Sequence, residues 1–96
     1  MTKQELISSV ASQTGISQEA TRLVIETTTE TIIDAVSHEE TVFLRGFGSF
    51  LPKHAKAKLA RNISAGTTIV IPARTMPAFK PYREFKERVN EAANKQ

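Results

Sequence analysis

The sequence predicts an α+β fold: two N-terminal helices, then β-strands that include a long two-stranded ribbon, then a short C-terminal helix. Three observations predict it. Apolar residues recur at helical spacing as far as Val36, β-branched and aromatic residues fill Thr41–Leu51 and Thr67–Ile71, and good helix formers run to Ala93. At 96 residues the chain has room for one domain, which excludes an enzyme with separate cofactor and substrate lobes. So small a domain buries little core. With no cysteine, neither a disulfide nor a thiolate zinc site can supplement that core, so a dimer is expected. No apolar run approaches a membrane span, and Met1–Val10 lacks a signal-peptide core, so the expected location is cytoplasmic, with no membrane partner.

The elements follow from local chemistry. Thr2 and Glu5 have capping-box spacing, and Leu6, Ile7, Val10 and Ala11 make an apolar stripe, so helix one runs to about Thr14. Gly15 suits a left-handed helix end and Ser17 an N-cap, so helix two starts near Gln18. Its apolar residues spread over roughly 220° of the helical wheel at 100° per residue, enough for two neighbours: helix one and a second subunit. Glu19, Arg22, Glu26 and Glu30 form its charged, exposed strip. Beyond Thr41, two strands meet at a Gly46 turn, and Pro52, which has no N–H, predicts a bulge or bend. The segment from Pro52 to Ile71 reads as a basic hairpin turning at Asn62–Gly66. Its ten residues a side, at about 3.3 Å each, reach roughly 30 Å, so much of it projects as an arm. Pro81 suits a first-turn position, which starts the last helix about there, with Phe85 and Val89 on its inner face.

Charge is segregated. Residues 1–44 carry Lys3 and Arg22 against seven acidic residues, whereas Thr41–Arg83 has no acidic residue and eight basic ones: Arg45, Lys53, Lys56, Lys58, Arg61, Arg74, Lys80 and Arg83. Cations spread over some forty residues suit nucleic acid better than a small anion. A helix-turn-helix reading of the first two helices fails, because Glu19, Glu26, Glu30 and Asp34 would repel phosphates. Enzymatic chemistry finds little support: His38 and His54 read as surface histidines with no paired carboxylate at ligand spacing, and no nucleophile motif or phosphate-binding loop occurs. No catalytic residue, metal ligand or cofactor is expected.

Gly46-Phe-Gly-Ser-Phe50, Arg61-Asn62, Ile71-Pro-Ala73 and Pro77-Ala-Phe-Lys-Pro81 together resemble the signature of the HU and integration host factor family of bacterial histone-like DNA-bending proteins. The likeness runs without a gap from Lys3 to about Val89. It implies an intertwined dimer with a helical base, a β-sheet saddle, and two β-ribbon arms that enter the minor groove of duplex DNA and bend it, largely without sequence specificity. The whole of 1–96 is then one DNA-binding domain: 1–40 the dimerisation base, 41–79 the saddle and arm (arm about 52–71), and 80–96 the last helix and tail. The implied DNA-binding residues are Lys3, Gly46, Lys53, Lys56, Lys58, Arg61, Asn62, Ile63, Arg74, Lys80, Arg83 and Lys86. Ile63, standing where the family has an intercalating proline, is the apolar wedge. Leu44, Phe47, Phe50 and Phe79 form the dimer core. Tyr82 replaces a usual glycine and is expected to cover the body. The resemblance implies a nucleoid-associated protein in the cytoplasm. It leaves open a homodimer or a heterodimer with a paralogue, RNA as a further ligand, and, as the alternative function, a protein-interaction dimer with weak DNA bending.

Overall fold

The computed structural model describes residues 1–62 and 64–95. The element order is α1 (Lys3–Thr14), α2 (Gln18–Ser37), β1 (Val42–Leu44), β2 (Gly48–Ala55), β3 (Lys58–Asn62), β4 (Thr67–Ile71), β5 (Arg74–Pro81) and α3 (Arg83–Asn94). The chain divides into two compact units, Met1–Asp34 and Ala35–Gln96.

In the first unit the caps form as expected. The Glu5 N–H donates to Thr2 Oγ1 at 3.2 Å, Gly15 ends α1 at φ 75° with its N–H on the Ala11 carbonyl, and the Ala20 N–H donates to Ser17 Oγ at 3.1 Å. Ile7, Ala11 and Thr21 are the buried residues here, and Thr21 satisfies its hydroxyl by donating to the Ser17 carbonyl at 2.8 Å. Leu23 and Val24 remain about two-thirds exposed, at 67% and 61%, so the apolar sector of α2 is wider than this unit covers. The charged strip of α2 is not simply a solvent face: Lys3 donates to Glu26 Oε2 at 2.8 Å and Arg22 donates to Gln4 Oε1. Helix spacing placed Glu26 and Arg22 on one row correctly, but only the packing of α1 shows that the row has partners.

The second unit begins with the end of α2. The Glu40 N–H reaches the Ala35 carbonyl at 2.9 Å and the Glu39 N–H reaches Val36 at 3.1 Å, the bond pair of a Schellman ending. Glu39 takes the left-handed position at φ 66° where glycine is usual. β1, β2 and β5 form an antiparallel sheet in that order, with Val42 opposite Phe50 and Phe50 opposite Phe79. The β1–β2 turn has a Phe47 N–H to Leu44 carbonyl bond of 2.9 Å and Gly46 at φ 83°, as a type II turn requires at its third residue.

β5 lies almost wholly in the stretch assigned to the saddle and arm, although the sequence pattern marked no separate strand there and its two prolines, Pro77 and Pro81, would ordinarily interrupt one. Register removes the objection. Pro52 faces Pro77, and two residues without N–H groups cannot exchange ladder bonds, so this is a non-hydrogen-bonded pair. Four residues along, Gly48 opposite Pro81 has the same parity, and neither proline costs a bond. No bulge interrupts the ladder at Pro52: Leu51–Ala78, Pro52–Pro77 and Lys53–Met76 pair consecutively. The open backbone site of Pro52 lies toward β1, whose ladder has already ended at Val42. The interruption comes later, at residues 56–57 and 72–73, between Ala55–Arg74 and Lys58–Ile71. The register is unchanged across it, so no residue is inserted on either side. Counting on, Ala57 would face Pro72 at a hydrogen-bonded position, where the missing N–H does remove a bond.

Phe47, Phe50, Phe79 and Phe85 cluster on one face of this sheet, with centroid separations of 4.8 Å for Phe50–Phe79 and 5.3 Å for the stacked Phe47–Phe85 pair. A Cβ on Gly48 would lie 2.6 Å from the Phe79 ring and 2.7 Å from the Lys80 carbonyl oxygen, so this position needs glycine. α3 starts two residues later than expected. Pro81 is the last residue of β5, and Tyr82, at φ −81° and ψ 165°, is the N-cap position.

Candidate nucleic-acid interface

Alternation along β2 and β5 sorts the side chains of the sheet. Phe50, Pro52 and His54 share one face with Phe79, Pro77 and Thr75, and the other face carries Ser49, Leu51 and Lys53 with Lys80, Ala78 and Met76. Ala55 and Arg74 close that second face, so Lys53, Arg74 and Lys80 lie together, opposite the aromatic cluster. All three are exposed. The sheet therefore keeps its apolar face for packing and its cations for the opposite side.

The hairpin beyond Ala55 is less uniform than its composition suggests. Within β3–β4, Lys58, Ala60 and Asn62 share a face with Ile71, Ile69 and Thr67, while Leu59 and Arg61 share the other with Val70 and Thr68. The arm thus has two basic faces rather than one, with Arg61 beside the exposed Leu59–Val70 pair and Lys58 on the opposite side. Lys56 lies in the interruption below them. Asn62 is committed to the turn: its Oδ1 accepts from the Ala65 N–H at 3.3 Å and its carbonyl from the Gly66 N–H at 2.9 Å. Its described contacts are those of a turn former. Ile63, the expected wedge, lies outside the described residues.

The remaining expected residues belong to other elements. Gly46 sits in the exposed β1–β2 turn beside Arg45, a cation that sequence reading counted in the basic stretch but did not select; its adjacency to Gly46 was the available signal. Arg83 donates to Glu87 at 2.8 Å along α3, and Lys86 is exposed on the same helix. Lys3 belongs to the first unit and is held by Glu26. The hydrogen bond from Lys3, and then its charge, keep the Glu26 carboxyl below its usual value, with a smaller contribution from Arg22. Leu44, Phe47 and Phe79 are all more than a third exposed, although Phe47 and Phe79 belong to the aromatic cluster. Tyr82 is half-buried, accepting from Ser49 Oγ at 3.0 Å and donating its N–H to the Phe47 carbonyl, so it covers the body as expected.

His54 is an exposed histidine, as expected, and the fold gives it a carboxylate partner that no spacing in the sequence marks. Its Nε2 lies 3.0 Å from Glu39 Oε2 and its Nδ1 2.9 Å from Thr75 Oγ1. The pair is fifteen positions apart, and the fold brings it together. Among the described residues, no group of three His, Cys, Asp or Glu side chains could hold a metal ion, and no helix is long and apolar enough to cross a membrane.

The family model of bacterial DNA-binding proteins matches residues 1–90. The chain belongs to this family. Among its relatives in the bacterial DNA-binding family, DNA-binding protein HU of Thermotoga maritima is 40% identical over 93% of this chain and 99% of the relative. Integration host factor subunit beta of Marinobacter nauticus is 35% identical over 99% of this chain and 98% of its own length. The Anabaena HU–DNA cocrystal structure superposes with a TM-score of 0.87 at 38% identity, covering 93% of this chain and 97% of that one. HU from Thermotoga maritima gives a TM-score of 0.66 at 31% identity, covering 93% and 98%. The helices, antiparallel strands and C-terminal helix are the HU fold, and the protein is an architectural DNA-binding protein of the HU and integration host factor family. This family is not an enzyme family, and the protein-interaction alternative is not favoured.

Proposed function

We propose that the protein acts as a dimer that grips duplex DNA from the minor-groove side with its ribbon arms and bends it with little sequence preference, on the nucleoid in the bacterial cytoplasm. The observation that carries this reading is the placement of Lys53, Arg74 and Lys80 on the sheet face opposite the aromatic cluster, continued along the arm by Arg61, with Lys58 on the other face of the ribbon. Cations along such a path contact successive phosphates without reading bases, which gives affinity without sequence information. The arm from Ala55 to Asn62 extends about 23 Å at roughly 3.3 Å per residue, enough to follow a groove rather than touch one point. Arg45, Lys56, Arg83 and Lys86 add contacts at the flanks, with Lys3 contributing from the first unit. Ile63 serves as the wedge between base pairs, where unstacking a step costs a few kcal/mol and kinks the helix.

Dimerisation through Leu44, Phe47, Phe50 and Phe79, with α2, covers the apolar groups that one chain leaves exposed. Residues 1–40 then form the base, 41–79 the saddle and arm, and 80–96 the last helix and tail.

The test is fluorescence anisotropy on a labelled duplex of roughly 30 base pairs across a salt series. Six to ten phosphate contacts give a log–log slope of about −5 to −9. A slope near zero rejects the reading. Resonance energy transfer between the duplex ends, with wild type and Ile63→Ala, reads bending separately from affinity.

A further inference from the structure

The open strand edges of the second unit are protected in different ways, and one is not protected. β1 is only three residues long, β5 carries Pro77 and Pro81 with Arg74 and Lys80, and β3 carries Lys58 and Arg61. Short length, proline and cations are the usual means by which an edge resists pairing with another chain. β4, Thr67-Thr-Ile-Val-Ile71, is five consecutive β-branched residues with neither charge nor proline, and among the described residues it pairs only with β3. Val70 is 66% exposed and Leu59, opposite it, 72%. Such a segment is a template for a further strand.

We propose that, in the absence of DNA, the arms of two copies of this protein pair edge to edge through β4, antiparallel, into a four-stranded sheet ordered β3-β4-β4-β3. The distribution of charge selects both the partner and the edge. Pairing through β3 would set Lys58 and Arg61 of one copy against the same cations of the other. Pairing through β4 keeps the two β3 strands three strand spacings apart, roughly 14 Å. That exceeds the Debye length of about 8 Å at physiological salt. Centred on Ile69, the contact sets Thr67 opposite Ile71 and Thr68 opposite Val70, so it is self-complementary and closes by a two-fold axis. The two Leu59–Val70 pairs then fall on one face of the joined sheet. The contact is small and therefore weak, and, on the proposed function, DNA competes with it because an arm lying in a minor groove about 6 Å wide has no room for a second ribbon beside β4.

Sedimentation of the full chain between about 0.05 and 1 mM, the range suited to a small interface, tests this beside Ile69→Lys, which places a charge on the edge at a half-exposed position. Wild type should reach twice the mass of the variant, or a higher multiple. Added salt should strengthen the association, the opposite of its effect on DNA binding, and a 30-base-pair duplex should abolish it. Because the chain has no cysteine, Ile69→Cys should give linked chains under mild oxidation, and Lys58→Cys should not. Equal masses for wild type and Ile69→Lys throughout the range, or cross-linking as efficient at position 58 as at 69, overturns the proposal. The cross-linking arm holds even if Ile69→Lys disturbs the arm.

Discussion

β2 with β5 and β3 with β4 are successive stretches of one hairpin in one register, yet only the first is backed by side chains. Behind the lower stretch stand Phe47, Phe50, Phe79 and Phe85, with ring centroids 4.8 to 6.2 Å apart. Behind the upper stretch, Leu59 and Val70 face outward. The comparison separates two contributions usually found together. A hydrogen-bonded ladder specifies which residues face each other, but a two-stranded ribbon is marginal until one face is covered. The lower stretch is a foundation; the upper stretch has surface left to bind with.

The sharpest way to break this contrast is to truncate one side chain in each stretch. Phe79→Ala should cost about 2–4 kcal/mol in denaturant unfolding, somewhat under the usual core value because the ring is partly exposed. Val70→Ala should cost no more than about 0.5 kcal/mol. Equal losses would mean that the arm contributes to folding as the sheet does. Next in size is Gly48→Ala, where the added methyl meets a ring and a backbone carbonyl; about 1–3 kcal/mol should be lost, seen as a lower Tm. An unchanged Tm would show that Phe79 can move aside.

Arg61→Ala reverses the pattern. Its stability should match wild type within about 0.5 kcal/mol, while the salt slope of DNA binding becomes shallower by about 1. The smallest effect belongs to the first unit. Because Lys3 depresses the Glu26 carboxyl, the stabilisation from this contact is present above the unfolded-state value of about 4.3 and is lost as pH falls through the lower folded-state value. In Lys3→Met the Glu26 titration, followed by carboxyl NMR, should move back up; a midpoint that does not move would remove the assigned cause.

Much of the fold is legible in the sequence. Thr2, Gly15 and Ser17 mark helix ends by local hydrogen bonding, and Gly46 marks a turn by its backbone freedom, so each needs only its neighbours in the chain. The cations of the interface were legible as a list but not as faces. Lys53, Arg74 and Lys80 share a side, and Lys58 and Arg61 do not, because pairing register sets which residues alternate together.

The same distinction accounts for what was misread. Pro52 suggested a bulge, and Pro81 the first turn of a helix, where the ladder is continuous, because a proline is harmless where its backbone nitrogen has no strand to meet. Pro72 is costly because its nitrogen, which carries no hydrogen, stands where a strand would accept one. His54 looked unpaired because Glu39 is distant in sequence, and the row on α2 looked solvent-facing because the reach of Lys3 and Gln4 depends on how α1 packs. By itself the sequence determined the elements, the caps and the separation of acidic from basic residues, since these arise from interactions a few positions apart. Only the tertiary structure decided which side chains share a face and which charges already have partners, because those depend on register and packing between segments that no local pattern records.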